Sequence, residues 1–388
     1  MFLRKTTTLV LCVLFLSGCS SIPLLRDKEP YGDLYRRIPY RTEGRYRVLD
    51  LFYATSRKID GSIKTSKAFR PTMGDKISYG AVDVKIDPRL TIGTMLPHWY
   101  KKRGIIGVQN IELLKEAEFM KELKNTIEAS PHKSLLVIVS GYKDGFEYTA
   151  IKAAYFSYLL DVDTPVLFFD WPGDQSVSPW GYLKAEKFAK ESGKHMGCLL
   201  AKIEREINPA KLWITASSLG SQVACSAFEE MYKYEDMKDE DLEIDHVILA
   251  APDVSKKEFD ENFQKEIAAL SKRLTTYISS DDKALLMSEL IDGKKKLGRR
   301  KIKAEKHAQF DETKSMLYIK SMMPDKVAVI DVTPINRASY KHGYYLEAPE
   351  FFDDFYLRVL ESPPHVNRLL YLLKTKDKID YWVLQGRK

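Results

Sequence analysis

The sequence predicts an α/β protein in which helices cover both faces of a mostly parallel sheet. Short segments such as Ser-Leu-Leu-Val-Ile-Val at 134–139 are apolar throughout, as are strands that are buried on both faces. Segments with apolar residues at helical spacing alternate with these strands along the chain. A hydrophobic content of 44% over 388 residues is sufficient for a sizeable core.

The predicted elements begin at residue 46, and strands and helices alternate regularly from residue 134 onward. Segments rich in β-branched and aromatic residues predict strands at 46–57, 76–86, 134–141, 165–171, 212–215, 245–251, 274–279 and 327–332. Apolar residues that recur every three or four positions predict helices at 111–127, 146–160, 181–207 and 256–270, and one that begins near 220.

The first residues have the pattern of a bacterial lipoprotein leader. Arg4 and Lys5 precede an apolar segment at 8–16, which is too short to cross a bilayer as a stable helix. Leu-Ser-Gly-Cys at 16–19 resembles a lipobox, so Cys19 is predicted to become the acylated N-terminus that attaches the chain to a membrane. The alternative is an ordinary signal peptide with an incidental cysteine. The serine that follows Cys19 indicates the outer membrane, with the protein facing the periplasm.

These patterns divide the chain into a signal peptide at 1–18, a membrane tether at 19–45, a main domain at 46–360 and a C-terminal extension at 361–388. The net charge of +7 is too small to indicate a nucleic-acid partner. Eight lysines and arginines lie within 294–306, which we interpret as a solvated basic loop. A lid and a membrane contact are the alternatives for that loop.

Cysteine and histidine spacing gives no sign of a metal site or a cofactor. The histidines are dispersed, and the sequence contains no Cys-x-x-Cys motif and no glycine-rich phosphate loop. Cys198 and Cys225 fall in predicted helices, and we interpret them as two buried free thiols. A disulfide between them is the alternative in an oxidising compartment.

A serine between a predicted strand and a predicted helix is the first candidate functional residue. Ser218 lies in Ala-Ser-Ser-Leu-Gly at 216–220, with the small residues Ala216 and Gly220 two positions either side of it. A sharp turn that exposes a serine hydroxyl requires small residues at those positions. The next backbone N–H, from Leu219, lies at a helix N-terminus, where it can stabilise an oxyanion. Ser218 is therefore the candidate nucleophile, and an ordinary strand-to-helix turn is the alternative.

A serine nucleophile needs a base and an acid that orients the base. In α/β sheets such groups lie after the carboxyl ends of strands. His342 follows the last predicted strand and is the candidate base, while the other six histidines are interpreted as bystanders. Asp282 is the preferred acid because it gives the chain order Ser, Asp, His. Asp281 beside it and Asp253 after the preceding strand remain alternatives.

The second oxyanion donor is expected in the loop after the strand at 134–141. Gly141 allows the backbone to approach a substrate closely. The backbone N–H of Tyr142, which follows it, is therefore the candidate, and with the N–H of Leu219 it would form the oxyanion hole.

Nine motifs between about residues 51 and 355 resemble a bacterial family of α/β hydrolases of unknown function. They are Leu-Phe-Tyr-Ala-Thr-Ser-Arg-Lys (51–58), Ser-Tyr-Gly (78–80), Gly-Tyr-Lys (141–143), Phe-Asp-Trp-Pro (169–172), Ala-Ser-Ser-Leu-Gly-Ser (216–221), Ala-Pro-Asp-Val (251–254), Tyr-Ile-Ser-Ser-Asp-Asp-Lys-Ala-Leu (277–285), Val-Ile-Asp-Val (329–332) and His-Gly-Tyr-Tyr (342–345). The resemblance implies the α/β-hydrolase fold, with Ser218 as nucleophile, Asp282 as acid and His342 as base.

Three positions beside the candidate site depart from the family pattern. Ser140 and Lys143 stand where the family usually has histidine and asparagine, and Ser217 replaces the histidine before the nucleophile. The residues and the resemblance together predict an envelope lipoprotein and serine hydrolase, esterase-like, that acts on an acyl ester or a lipid-like molecule. The alternative, which the departures allow, is a catalytically inactive lipoprotein with the same fold that acts as a binding or scaffold protein.

Overall fold

The computed structural model describes residues 37–61, 63, 65–90, 104–238, 244–299, 326–362, 364–374 and 380–386. The strands of this described part form one 12-stranded sheet. They are β1 (Arg41–Glu43), β2 (Tyr46–Ile59), β3 (Phe69–Ile86), β4 (Ile106–Leu114), β5 (Ser134–Val139), β6 (Val166–Asp170), β7 (Lys211–Ser217), β8 (His246–Ala250), β9 (Leu274–Ile278), β10 (Val327–Asp331), β11 (Leu370–Lys374) and β12 (Asp380–Leu384).

The sheet has the order β11-β12-β10-β9-β8-β7-β5-β6-β2-β3-β4, and β1 pairs with β2. From β12 across to β2, every neighbouring pair is parallel. Antiparallel strands complete the two edges, with β11 on one side and β3 and β4 on the other. The prediction of a mostly parallel sheet is therefore confirmed.

Helices cover both faces of this sheet. They are α1 (Glu116–Ala129), α2 (Phe146–Leu160), α3 (Pro179–Glu206), α4 (Gly220–Met231), α5 (Gln264–Leu270), α6 (Lys283–Asp292), α7 (Tyr344–Glu347) and α8 (Pro349–Val359). Buried side chains of α1, α3 and α4 pack on one face, and those of α2 and α8 pack on the other. No helix in the described part of the chain is long and apolar enough to cross a membrane.

The central strand β5 explains why the sheet is covered on both sides. All six of its side chains are buried. Leu135 and Val137 point into the cluster that holds α1, α3 and α4, while Leu136 and Ile138 point into the cluster that holds α2. Each such buried aliphatic side chain contributes about 1.5–3 kcal/mol, so both layers of helices are held by the same short strand.

Two of the predicted helices were wrong in part. The segment predicted as a helix at 111–127 is divided, because β4 continues to Leu114 and α1 begins only at Glu116. Backbone pairing of β4 with β3 decides the conformation there, although the apolar residues have helical spacing. The helix predicted at 256–270 is broken into a single turn at Lys256–Glu258, a π-helical turn at Phe259–Phe263 and α5.

The segments outside the predicted main domain contribute to the sheet where they are described. The end of the predicted tether forms β1, which pairs with the start of β2, and Ile38 is buried. The predicted C-terminal extension provides β11 and β12, and β12 pairs in parallel with β10. The predicted signal peptide at 1–18 and Cys19 lie outside the described residues.

Candidate active site

Ser218 lies on a strained turn between β7 and α4. Its φ of 52° is in the left-handed region, which a residue with a side chain rarely adopts. Its N–H donates to the carbonyl of Ala250 at the end of β8 (3.0 Å), and its carbonyl accepts from Asp253 (3.0 Å) and Ser221 (3.0 Å). These bonds hold the strained conformation on both sides. The sequence therefore gives a serine held on a sharp strand-to-helix turn, as the small residues around it predict.

Two glycines allow the chain to approach this turn closely. A Cβ on Gly141 would lie 2.7 Å from the Cβ of Ser218, and a Cβ on Gly220 would lie 2.5 Å from the carbonyl oxygen of Ser140. Both distances are shorter than real Cβ atoms adopt, so any larger residue would force the backbone apart. The end of β5 and the start of α4 are thereby brought against Ser218.

The structure joins the predicted base to the preferred acid. His342 Nδ1 donates to Asp282 Oδ2 at 2.7 Å, across 60 positions of sequence. The carboxylate of Asp282 has no solvent exposure, whereas the imidazole of His342 retains 18%. The other oxygen of Asp282 accepts from the N–H of Leu285 (2.9 Å), so this aspartate also caps α6. The imidazole is thus held in one orientation by a buried anion.

The structure does not bring Ser218 into a hydrogen bond with His342. The hydroxyl of Ser218 makes no hydrogen bond to any described residue, and His342 makes its side-chain hydrogen bond to Asp282. Tyr345 connects the two regions, because its ring lies edge-on to the His342 ring with centroids 6.1 Å apart. Tyr345 also lines one small cavity together with Ser217, the neighbour of Ser218.

Asp253, the alternative acid, pairs with Lys296 and not with His342. Its Oδ1 lies 3.0 Å from Lys296 Nζ and accepts from Tyr182 (3.0 Å) and Ser288 (3.1 Å). The side chain of His342 is bonded to Asp282 and not to Asp253. Asp281, the other alternative, accepts from Ser279 Oγ at 2.7 Å. Of the three aspartates, Asp282 alone is positioned to orient the imidazole.

The interpretation of 294–306 as a solvated basic loop was wrong for its described part. Lys296 is buried, and its ammonium group lies between Asp253 and Asp292 (2.6 Å). Burial lowers the pKa of Lys296, but the two carboxylates raise it more, so the pKa lies above its usual value. Lys294 and Arg299 pair with glutamates. The sequence did not indicate the pairs with Asp253 and Glu186, which lie on distant segments, whereas Asp292 is only four residues before Lys296. Residues 300–306 lie outside the described part.

The loop after β5 carries Tyr142, the second predicted oxyanion donor. The loop is fixed to the loop after β6, since Lys143 N–H donates to the carbonyl of Gly173 (2.9 Å) and Tyr142 Oη donates to that of Ser176 (2.6 Å). The backbone N–H groups of Tyr142 and Leu219 make no hydrogen bond within the described residues. Both donors therefore remain free for another acceptor.

Comparisons with known proteins assign the chain to a family. The family model described as "Alpha/beta hydrolase of unknown function (DUF900)" matches residues 115–360, which is more than half of the chain. The chain belongs to this family of α/β hydrolases. A solved structure, a C6-C4 SN3 inhibited esterase B from Lactobacillus rhamnosis, is 9% identical, has a TM-score of 0.34, and is matched over 85% of this chain and 88% of the esterase. No curated protein matches the sequence.

A buried arginine that the sequence did not single out supports the loops after β5 and β6. Arg57, near the end of β2, donates to Asp170 (2.8 Å) and Asp174 (2.5 Å) and to the carbonyls of Asp144 (2.8 Å) and Trp171 (2.6 Å). Burial lowers the pKa of Arg57, and the two aspartates raise it more. The signal in the sequence was an arginine within a mostly apolar strand, which indicates a buried charge that needs acidic partners.

Sequence reasoning also missed the asparagine that fastens the loop of His342. Asn336 is buried, and its amide group donates to Ser279 Oγ (2.7 Å) and to the carbonyl of Lys341 (2.7 Å). Ser279 follows β9, which leads to Asp282, and Lys341 precedes His342. Asn336 therefore links the two loops that carry the acid and the base. No local pattern distinguishes it from an ordinary loop asparagine.

The structure shows the state of Cys198 and Cys225. Both cysteines are free, but only Cys225 is buried and Cys198 is exposed, so the interpretation of two buried thiols was wrong for Cys198. No group of three or more metal-ligating side chains occurs within the part of the hydrolase that the structure describes.

Proposed function

We propose that this hydrolase is a serine esterase of the bacterial envelope with Ser218, His342 and Asp282 as its catalytic residues. The observation that carries the proposal is the 2.7 Å hydrogen bond from His342 to the fully buried Asp282, at the sheet edge where Ser218 is held with a left-handed φ. A base oriented by a buried acid, with a serine held on a strained turn at the same edge of the sheet, is the arrangement that acyl transfer needs.

The reaction would proceed through a covalent acyl-enzyme. Ser218 Oγ attacks the ester carbonyl carbon while His342 Nε2 takes the hydroxyl proton. The tetrahedral oxyanion accepts hydrogen bonds from the N–H groups of Leu219 and Tyr142. The C–O bond to the alcohol then breaks, and His342 returns the proton to the leaving alcohol. Water, deprotonated by His342, attacks the carbonyl carbon of acyl-Ser218. The bond between that carbon and Ser218 Oγ then breaks, His342 returns the proton to Oγ, and the carboxylic acid is released.

Asp282 would act by fixing the imidazole and by stabilising its positive charge. Because Nδ1 of His342 donates to Asp282, the lone pair of the neutral ring lies on Nε2, the nitrogen that must accept the serine proton. The Ser218 and His342 side chains need a hydrogen bond during catalysis. Such bonds are often absent without substrate and form in the enzyme–substrate complex.

The envelope location rests on the N-terminal sequence. Arg4, Lys5, the apolar segment at 8–16 and the lipobox-like Leu-Ser-Gly-Cys support acylation of Cys19 and attachment to the outer membrane on its periplasmic side. Mass spectrometry of the purified chain tests this part separately. We expect an N-terminal diacylglyceryl cysteine at position 19.

Hydrolysis of p-nitrophenyl acetate by a set of variants tests the catalytic assignment. We expect Ser218→Ala and Asp282→Asn each to reduce kcat/KM by about 10³-fold or more, since members of a triad act as one unit. Asp281→Asn, at the neighbouring position, is expected to reduce it less than tenfold. Equal losses for the two asparagine variants would contradict the assignment of Asp282.

A non-catalytic role is the second candidate, and one observation favours it. The hydroxyl of Ser218 makes no hydrogen bond to His342 in this structure. If the protein binds envelope components without chemistry, the folded wild-type chain will show no hydrolysis, and Ser218→Ala will restore every phenotype of a deletion strain. Loss of restoration by Ser218→Ala would exclude that role.

A further inference from the structure

Exposed apolar side chains stand at the edge of the sheet where Ser218 lies. The first group belongs to the loop after β6 and to the first turns of α3. Val177 is 83% exposed, Trp180 is 82% exposed and Leu183 is 38% exposed. Because α3 begins after the carboxyl end of β6, its first turns lie at the carboxyl edge of the sheet, on the side of the candidate active site.

Helix α6 supplies the second group. The chain leaves the sheet at Asp282, forms α6 and returns at Gly298, whose N–H donates to Pro252 (2.9 Å) and whose carbonyl accepts from Ser279 (2.9 Å). Helix α6 therefore belongs to an insertion that lies at the carboxyl edge of the sheet. It buries Leu285 and Ser288 and leaves other apolar side chains in solvent: Met287, 57% exposed, and Leu290, 72% exposed.

The third contribution is Tyr340, two positions before His342. Its side chain is 74% exposed, and its φ of 53° is in the left-handed region. Helix α6 contacts both α3 and the Ser339–Lys341 turn, so the three groups are neighbours. We call the set of six side chains the apolar rim: Val177, Trp180, Leu183, Met287, Leu290 and Tyr340.

Lysines without an acidic partner accompany the apolar rim. Lys184 follows Leu183 on α3, and Lys283 precedes Met287 by one helical turn on α6; both are exposed. Neither forms an ion pair with a described residue, whereas nearby Lys294 is paired with Glu186. Each helix thus shows solvent large apolar side chains and a lysine without an acidic partner, although the Lys184 ammonium group also lies over the Phe188 ring at 5.3 Å from its centroid.

This combination fits an anionic phospholipid surface better than it fits a second copy of the chain. Tryptophan, leucine and flanking lysines are the residues that helices lying in a membrane interface use. A symmetric dimer through the apolar rim would place the same lysines of the two copies near one another without acidic partners. Six large apolar side chains exposed around a candidate active site also exceed what scattered surface residues explain.

We propose that the apolar rim docks onto an anionic phospholipid bilayer and that the substrate is an ester lipid taken from that bilayer. Trp180 and Leu290 enter the boundary between headgroups and acyl chains, and Lys184 and Lys283 contact phosphate groups. The docking step stands on the surface alone, whereas the identity of the substrate rests on the proposed esterase function. The docking surface is separate from any acyl anchor at Cys19.

A fluorescent label tests docking in the full-length protein. A nitrobenzoxadiazole group is attached to Leu290→Cys in a Cys198→Ser background, because Cys198 is exposed and would otherwise react. The control carries the label at Leu113→Cys, which is 52% exposed on β4 at the other edge of the sheet. An N-terminal anchor is common to both proteins, so only a docked rim inserts the label at 290.

With phosphatidylglycerol vesicles, we expect emission from the label at 290 to shift to shorter wavelength and to rise at least twofold. The label at 113 should not respond. Phosphatidylcholine vesicles, or the additional changes Lys184→Glu and Lys283→Glu, should weaken the response at least fivefold. An unchanged label at 290 would overturn the proposal. So would emission that is already blue-shifted without vesicles, because the protein itself or a second copy would then cover the surface.

Kinetics separate this inference from the proposed function. For Trp180→Ser/Leu290→Ser, the rate on a diacyl ester in phosphatidylglycerol vesicles should fall at least tenfold relative to the rate on p-nitrophenyl acetate. An equal fall on both substrates would contradict lipid delivery through the rim. No hydrolysis of either ester by folded wild-type protein would contradict the esterase function, and the label would still report whether docking occurs.

Discussion

Glu204 in the last turns of α3 shows how one buried carboxyl group makes stability depend on pH. The residue is only 4% exposed, and burial, reinforced by the charge of Asp245, raises its pKa to about 7. The folded state therefore holds a proton that the unfolded state releases near pH 4.5. This contribution to stability is fully present below pH 4.5 and is lost as the pH rises through about 7.

We expect Glu204→Gln to increase the free energy of unfolding by about 1–3 kcal/mol at pH 8, because the variant removes a carboxylate that is charged and buried there. At pH 4 the change should vanish, since the wild-type side chain is then neutral in the folded state. Urea denaturation at both pH values measures it, and Glu206→Gln on the exposed end of the same helix is the control. An equal increase in the free energy of unfolding at pH 4 and pH 8 would contradict a raised pKa of Glu204 as the cause.

At the scale of elements, the loops after β9 and β10 form one unit that brings the acid and the base together. Asn336 connects them through Ser279 and Lys341, and Ser280 N–H donates to Thr333 Oγ1 at 2.9 Å. The turn before His342 contains two residues with left-handed φ, Tyr340 (53°) and Lys341 (55°). The hydrogen bond from Asn336 to the carbonyl of Lys341 helps to hold this left-handed backbone conformation, which is unfavourable by itself.

We expect Asn336→Ala to lower kcat for p-nitrophenyl acetate by about 10–100-fold with little change in KM, since small displacements of a catalytic group have large effects on rate. Asn336→Asp, which keeps the shape but loses the N–H donors, should behave alike. Asn367→Ala is the matched control, because Asn367 is also buried but donates to Asp354 of α8 and not to the loops that carry Asp282 and His342. Equal effects of Asn336→Ala and Asn367→Ala on kcat would show that Asn336 has only a structural role.

The elements that sequence predicted best are those whose apolar pattern agrees with their tertiary environment. Helix α2 spans the predicted 146–160, and β5 and β8 differ from prediction by one or two residues at their ends. The predictions were wrong where a distant partner decides the conformation. β4 is an example, because its pairing with β3 extends the strand into a segment with helical spacing. Lys296 is another, because one of its two carboxylate partners, Asp253, lies on a distant segment of the chain.

At the scale of the whole molecule, the parallel sheet brings together loops that are far apart in the sequence. The chain adds β8, β9 and β10 one after another beside β7, so each following loop lies next to the previous one at the same edge. For this reason, position after a strand, together with the chain order Ser, Asp, His, led to the prediction of Ser218, Asp282 and His342 as the reacting residues. β12 pairs with β10 beyond them, so the strand that leads to His342 is not at the edge of the sheet.

The residues that support the site could not be chosen in the same way. Arg57 binds groups that follow β5 and β6, and Tyr345 of α7 lines one small cavity with Ser217. Each contact depends on the register of the sheet and on the path of loops, which composition and spacing do not encode. Sequence therefore predicted which residues could react, and the structure identified which residues hold them.

Covalent labelling by a fluorophosphonate tests the central claim most directly, because the reagent reacts preferentially with a serine that a base activates. We predict one adduct per folded wild-type chain, located at Ser218 by peptide mass spectrometry. Ser218→Ala should remove the adduct, and His342→Asn should slow its formation by at least 10³-fold. A folded wild-type protein that stays unlabelled, or that carries its label on another serine, would contradict the account.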